Sequence, residues 1–315
     1  MTSGGDAPGM NAAIRAVVRT AIGQDIRVSG ISHGYEGLID NDIAPLGGRD
    51  VGNIIQRGGS VLYTSRSKRF LERGYRDQAR AHLASHGIDS VVVIGGEGSM
   101  KGATALAETG QVRVVGVPAT IDRDMPHVGA TIGFDTAVNT ALDAIDRIRD
   151  TATTHNITHI VQVMGRTSGW IGLIVGVGGG AEAVALPEAP FDEHAVVEKI
   201  KADLAAGKQG CILVLAEGAC PDGAESFAHT IEALSNHKVR LTTLGHIQRG
   251  GNPSAFDRML ASQLGAGAVQ ALIEGKNLCV MARRHSALTH VDFKDVASGP
   301  HHLDSQLITL IESLA

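Results

Sequence analysis

Short runs of β-branched and aliphatic residues alternate with stretches of helical periodicity along the chain, and this alternation restricts the fold most. The runs 27–31, 90–95, 112–117, 158–163, 183–186, 211–215, 240–244 and 278–281 read as strands. Val91-Val92-Val93-Ile94 is continuously apolar, as strands covered on both faces are. Helical periodicity fills 11–22, 76–85, 100–108, 194–206 and 255–273. The clearest helix sets Val138, Ala141, Leu142, Ile145 and Ile148 on one face, with Asp135 or Thr136 placed to cap it. Repeated βα units imply an α/β fold with largely parallel sheets flanked by helices and right-handed crossovers. A length of 315 residues suits two lobes or one large domain.

Aromatics make up only 3% while glycines number 40, so the core rests on Val, Ile, Leu and Ala. A formal charge of −5 carries no expectation of nucleic-acid binding. Cys211, Cys220 and Cys279 have no metal-ligand spacing and read as reduced thiols of a cytoplasmic protein. Thr2-Ser3-Gly4-Gly5 after Met1 is not a targeting signal, and the apolar window 170–186 is too broken by glycine to span a membrane.

Ser3-Gly4-Gly5-Asp6-Ala7-Pro8-Gly9 leads into the first helix, and Gly95-Gly96-Glu97-Gly98-Ser99 follows the Val-Val-Val-Ile run. Backbone N–H groups at such turns favour phosphate, although either segment alone is equally a tight turn without a ligand. Neither is a Walker A loop. The glycines between 176 and 180 lack polar partners and read as packing. Thr120-Ile121-Asp122-Arg123-Asp124 follows a strand and supplies two carboxylates. In isolation they read first as a solvated acidic loop capping a helix, but with Glu97 to share a metal they also suit one group taking a hydroxyl proton and one helping to hold the metal. Met164-Gly165-Arg166, Arg240 and the segment from Gly245 to Gly251 gather basic residues; Arg240, His246 and Arg249 suit an anion pocket.

The segment from Ser3 to Arg15 resembles the N-terminal signature of bacterial ATP-dependent 6-phosphofructokinases, and Gly245 to Gly251 resembles the family's other signature. The resemblance covers nearly the whole chain. It implies a nucleotide-binding lobe of residues 1–132 with 247–297 and a sugar-phosphate-binding lobe of 133–246 with 298–315. The implied reaction moves the γ-phosphate of ATP, with Mg²⁺, to the 1-hydroxyl of fructose 6-phosphate. Gly5, Tyr35, Arg66, Gly96, Glu97, Gly98, Ser99 and Gly102 are the implied ATP contacts. Asp122 is the implied base, assisted by Thr120 and Asp124, with Asp124 and Glu97 near Mg²⁺ and Arg166 near the transferred group. These residues, with Met164, Gly165, Glu217, Arg240, His246 and Arg249, are the implied sugar-phosphate contacts, Arg240 reaching in from a neighbouring subunit of a homotetramer. Arg15, Arg19, Arg149, Glu182 and Lys208 match the effector site, which takes a nucleotide diphosphate or phosphoenolpyruvate. Gly98 and Ala119 are small where pyrophosphate-using relatives carry bulky Asp and Lys, which favours ATP as donor.

The sequence departs from the family at several points. Glu97 replaces the usual Asp, Arg123 replaces an Asn beside the expected base, and Ile157 stands where the family carries a phosphate-binding Arg. No apolar strand precedes Ser3, where the fold calls for a central one to aim the Gly-rich turn. These departures keep two alternatives open: a kinase for a different sugar phosphate, and a weakly active or inactive homologue that binds effector.

Overall fold

The computed structural model describes residues 1–284, 287–296 and 303–314. The chain divides into two compact units, Met1–Thr136 with Arg249–Pro300 and Ala137–Gln248 with His301–Ala315. The expected lobe junction at 297/298 lies outside the described residues.

In the first unit, β1 (Thr2–Ser3), β4 (Ser90–Gly95), β5 (Arg113–Pro118), β10 (Cys279–Arg284) and β11 (Ala287–Asp292) form a sheet in the order β1-β4-β5-β10-β11. All neighbours are parallel except β10 and β11. Helices α1 (Met10–Ile22), α3 (Arg73–Ser85), α4 (Glu97–Ala107) and α9 (Ala255–Ile273) pack with this sheet, and Leu83, Val93, Leu106, Val114 and Val280 lie in its core. The short α2 (Gly34–Ile39) and the hairpin of β2 (Ser29–Ile31) with β3 (Ile43–Pro45) complete the unit's first half.

Two expectations are corrected here. A strand does precede the Gly-rich turn: Thr2 pairs with Ile94 and Ser3 with Gly95. It stands at an end of the sheet rather than in the middle. Its polar side chains hid it from a reading based on apolar runs. Both residues are buried, and the Thr2 hydroxyl is satisfied by Ser60 and the Tyr63 carbonyl. The cap of α5 (Phe134–His155) also differs, because the donors at its start go to Asp257 on α9. Asp135 instead accepts from Ser254 Oγ at 2.5 Å.

The second unit holds a parallel sheet in the order β7 (Ala183–Ala185), β8 (Cys211–Ala216), β6 (Thr158–Val163), β9 (Val239–Thr243). Every residue of β8 is buried, which explains its unbroken apolar run. Helices α7 (Glu193–Ala205) and α8 (Ala224–Ser235) share a core with it through Ile200, Phe227 and Ile231. Most of the glycine-broken window at 170–186 forms α6 (Trp170–Gly178), a helix that its glycines concealed. A side chain at Gly176 would collide with Val184 Cγ2, so any larger residue there would force Val184 to move.

Candidate active site

Register is what assembles the first unit's site. Ser3 pairs with Gly95 and Gly95 with Pro118, so β1, β4 and β5 end in one line. The turns that follow therefore emerge side by side, at the strand ends where parallel sheets bind ligands. The Ser99 hydroxyl donates to Ser3 O at 2.9 Å, tying the second turn to the first. A Cβ on Gly96 would stand 3.6 Å from Thr120 Cβ, so the second turn also abuts the third.

The first turn is held from above by 64–65. Gly4 N donates to Ser65 O at 3.1 Å, and Thr64 Oγ1 donates to Gly4 O at 2.9 Å. Gly4 has φ +87°, a left-handed conformation that favours glycine. Arg66 follows on this segment and is exposed. Arg249 belongs to this unit: its Nη1 donates to Asp6 O at 3.2 Å and lies 2.7 Å from where a Gly5 Cβ would stand.

At the second turn, Gly96 precedes α4 and Glu97 is its first residue. Gly98 faces open space, with nothing within 4 Å of an added Cβ. Tyr35 is 5% exposed, stacks on Phe70, and donates its hydroxyl to Ser99 O at 2.6 Å. Burial pushes its pKa well above the usual phenol range. A Cβ on Gly102 would lie 2.6 Å from the Tyr35 ring. Tyr35 and Gly102 thus pack against each other, and the Tyr35 hydroxyl ties its ring to the second turn.

The third turn carries the two carboxylates. Asp122 is only 3% exposed. The Thr120 hydroxyl donates to Asp124 Oδ1 at 3.1 Å and accepts from Asp122 N at 3.2 Å, so one side chain organises both aspartates. Thr120 is fixed in turn by Ile132 O, at 3.1 Å from its N–H, and by the Thr131 hydroxyl, which donates to its carbonyl at 2.8 Å. Arg123, in a left-handed conformation, donates Nε to Gly129 O at 3.0 Å and lies over the Phe134 ring. Burial lowers its pKa.

The second unit gathers a separate set at the ends of β6 and β8. Glu217 Oε2 accepts from Arg166 N at 3.0 Å and Gly165 N at 3.3 Å, while Gln248 Oε1 accepts from Met164 N at 3.3 Å. The Glu217 carboxylate therefore shapes the Met164–Arg166 turn, and the Arg166 side chain is exposed. Arg240 and His246 are exposed as well. His159 is a β6 residue in register with Arg240, and its Nε2 lies 3.2 Å from Thr242 Oγ1. Burial, then the Arg240 charge, lowers its pKa.

Ile157 is only 6% exposed, just before β6, so a cation there would be largely cut off from water. Of the expected effector residues, Glu182 is buried and meets Lys208 at 2.5 Å, while Arg149 Nη2 donates to Gly180 O at 2.8 Å. Burial opposes the Lys208 charge, yet Glu182 and Asp203 hold its pKa above the usual lysine value. Arg15 and Arg19 lie on α1 in the first unit.

Sequence reasoning missed two groups near the site. Asp257 is fully buried and accepts from Gly133 N at 2.9 Å, Thr136 N at 2.8 Å and Thr136 Oγ1 at 2.5 Å. Its signal was present as Ser254-x-x-Asp257, a capping-box spacing in which Ser254 accepts from Asp257 N. Lys101 pairs with Glu97 at 2.6 Å and was visible as an i,i+4 partner.

The model of the phosphofructokinase family matches residues 1–272. ATP-dependent 6-phosphofructokinase 1 of Thermus thermophilus is 49% identical over 314 residues, covering 100% of this chain and 98% of the relative. The ATP-dependent 6-phosphofructokinase of Bacillus subtilis is 48% identical over 316 residues with the same coverage. Among solved structures, phosphofructokinase from Saccharomyces cerevisiae superposes with a TM-score of 0.89 at 30% identity, over 99% of this chain and 45% of the yeast one. The chain thus spans less than half of that yeast protein. A pyrophosphate-dependent phosphofructokinase from Marinobacter aquaeolei, 22% identical, covers 99% of this chain and 90% of its own with a TM-score of 0.84, a likeness of fold. Among the described residues no helix is long and apolar enough to cross a membrane.

Proposed function

The chain belongs to the phosphofructokinase family, and from that premise we propose that it transfers the γ-phosphate of ATP to the 1-hydroxyl of fructose 6-phosphate, giving ADP and fructose 1,6-bisphosphate. The observation that carries this reading is the in-register ending of β1, β4 and β5, which sets two Gly-rich turns beside the buried Asp122. Phosphoryl transfer needs positioning and neutralisation of charge more than covalent chemistry, and these turns supply backbone N–H groups for both.

In this reading the Gly4–Gly5 and Gly96–Ser99 turns hold the polyphosphate, with Arg66 beside them and Tyr35 and Gly102 supporting them from below. Asp122 takes the proton of the 1-hydroxyl. Thr120, bonded to Asp124 and to the Asp122 N–H, fixes the orientation of both carboxylates. Glu97 and Asp124 are hard oxygen donors of the kind Mg²⁺ accepts alongside phosphate and water, and they would hold it. Bound there, Mg²⁺ neutralises charge on the transferring phosphoryl group. Met164, Gly165, Arg166, Glu217, His246 and Arg249 serve the sugar phosphate, with Arg240 from a neighbouring subunit of a homotetramer. Arg15, Arg19, Arg149, Glu182 and Lys208 form the site of a nucleotide diphosphate or phosphoenolpyruvate effector. The open space at Gly98 and the small Ala119 support ATP over pyrophosphate as donor. The reaction belongs to glycolysis, in the cytoplasm.

A coupled assay of ADP release, run with fructose 6-phosphate and a panel of other sugar phosphates, tests the assignment. ADP release that depends on fructose 6-phosphate is expected. Release that depends only on another sugar phosphate, or on none, overturns it.

A further inference from the structure

Lys101 has no assigned part in the site, yet its ammonium lies on Glu97 at the second Gly-rich turn. It sits on the second turn of α4 and reaches back to Glu97 Oε1 on the first turn, at 2.6 Å. Helical side chains lean toward the N-terminus, so this reach brings the charge to the end of α4 that draws phosphate. Lys101 is 59% exposed and Glu97 30%, so the pair is open to exchange with solutes. Gly98 beside it faces empty space on the same turn.

The chemistry of this pair is unusual for a phosphate site. A carboxylate in the first turn repels a polyphosphate, and Lys101 cancels that charge while no nucleotide is bound. A divalent cation chelated by the nucleotide competes for the same carboxylate. When it takes Glu97, the ammonium is released next to phosphate oxygens, where a charge-assisted hydrogen bond is available. The Glu97 carboxylate reaches along the helix far enough to meet Lys101.

We propose that Lys101 is a positioning residue for the metal–nucleotide, paired with Glu97 in the free protein and exchanged onto a phosphate oxygen when the divalent cation takes Glu97. The inference rests on the ATP-donor reading above.

Calorimetric titration of the full chain tests it, using a non-hydrolysable ATP analogue with Mg²⁺ and again with a chelator. Lys101→Met is expected to weaken binding of the Mg²⁺ complex by about tenfold, and Lys101→Arg to restore it to within about threefold. Glu97→Gln, which frees Lys101, is expected to tighten binding of the metal-free analogue by about tenfold. That gain should vanish in the Glu97→Gln, Lys101→Met double variant. Equal melting temperatures of Lys101→Met and wild type establish that the loss is not one of folding. If wild type binds the Mg²⁺ complex and Lys101→Met binds it equally well, this inference alone falls. It also falls if the metal-free gain survives in the double variant. If wild type binds no analogue under either condition, the donor reading falls and the inference with it.

Discussion

Replacing Asp257 by Ala tests whether the turn that carries Asp122 and Asp124 is held from α9. Asp257 is buried and accepts from Gly133 N, Thr136 N and Thr136 Oγ1. Truncation strands two backbone N–H groups; the Thr136 hydroxyl still accepts from Ser254 N at 3.0 Å. At about 1–3 kcal/mol per unsatisfied buried group, the loss is about 2–6 kcal/mol. Removing a buried carboxylate whose pKa is raised chiefly by burial offsets part of it, so about 3 kcal/mol is expected. For a domain of about 150–250 residues this lowers Tm by about 6–12 °C. The damage also reaches chemistry. Gly133 follows Ile132, whose N–H donates to Pro118 O and whose carbonyl holds Thr120 N, so slack there spreads to Asp122 and Asp124. A fall in kcat on the order of tenfold to a hundredfold is expected, because small misplacements of reacting groups are costly.

Differential scanning calorimetry and steady-state kinetics on Asp257→Ala and Asp257→Asn would measure both effects. The pH dependence adds a signed check. A carboxyl whose folded pKa is raised above its unfolded value binds more protons when folded, so its contribution to stability grows as pH falls through the folded pKa. Asn does not titrate. The stability gap between wild type and Asp257→Asn should therefore widen on acidification, levelling off below the unfolded value of about 3.9. A Tm within about 2 °C of wild type, with kcat unchanged, would refute the argument that Asp257 anchors this turn.

Three further outcomes are expected. Asp122→Asn should lower kcat by at least about a hundredfold with a smaller effect on substrate binding, since an amide cannot take the proton; a variant keeping more than about a third of wild-type kcat would exclude Asp122 as the base. Pyrophosphate should support only trace turnover, and a donor preference for it over ATP at equal concentration would contradict the reading drawn from the open space at Gly98 and the small Ala119. Ile157→Arg should destabilise the protein by about 2–4 kcal/mol because a charge would enter a buried position; an unchanged Tm together with a lower KM for fructose 6-phosphate would instead support the phosphate-binding role that the resemblance implies for a cation at position 157.

What the residues alone determined is what depends on local pattern. The apolar runs within Ser90–Gly95 and Cys211–Ala216 are strands because parallel strands buried on both faces are apolar on both, whereas Thr158–Val163 keeps His159 and Gln162 on its half-buried positions. The Gly-rich turns and the Asp122, Asp124 pair were readable because strand-end loops concentrate such residues. Contacts between distant segments were not. β1 is polar and very short, and its pairing is made by main-chain groups that leave no mark in side-chain pattern. The resemblance implies Tyr35 and Glu217 as ligand contacts, and only folding shows that the Tyr35 hydroxyl also meets Ser99 O and the Glu217 carboxylate the Gly165 and Arg166 N–H groups. The cap of α5 comes from a residue more than a hundred positions away, because a buried helix end accepts any acceptor that packing brings within reach. Ile157 illustrates the same limit: sequence position marks where a cation is missing, and only burial shows that this site faces inward.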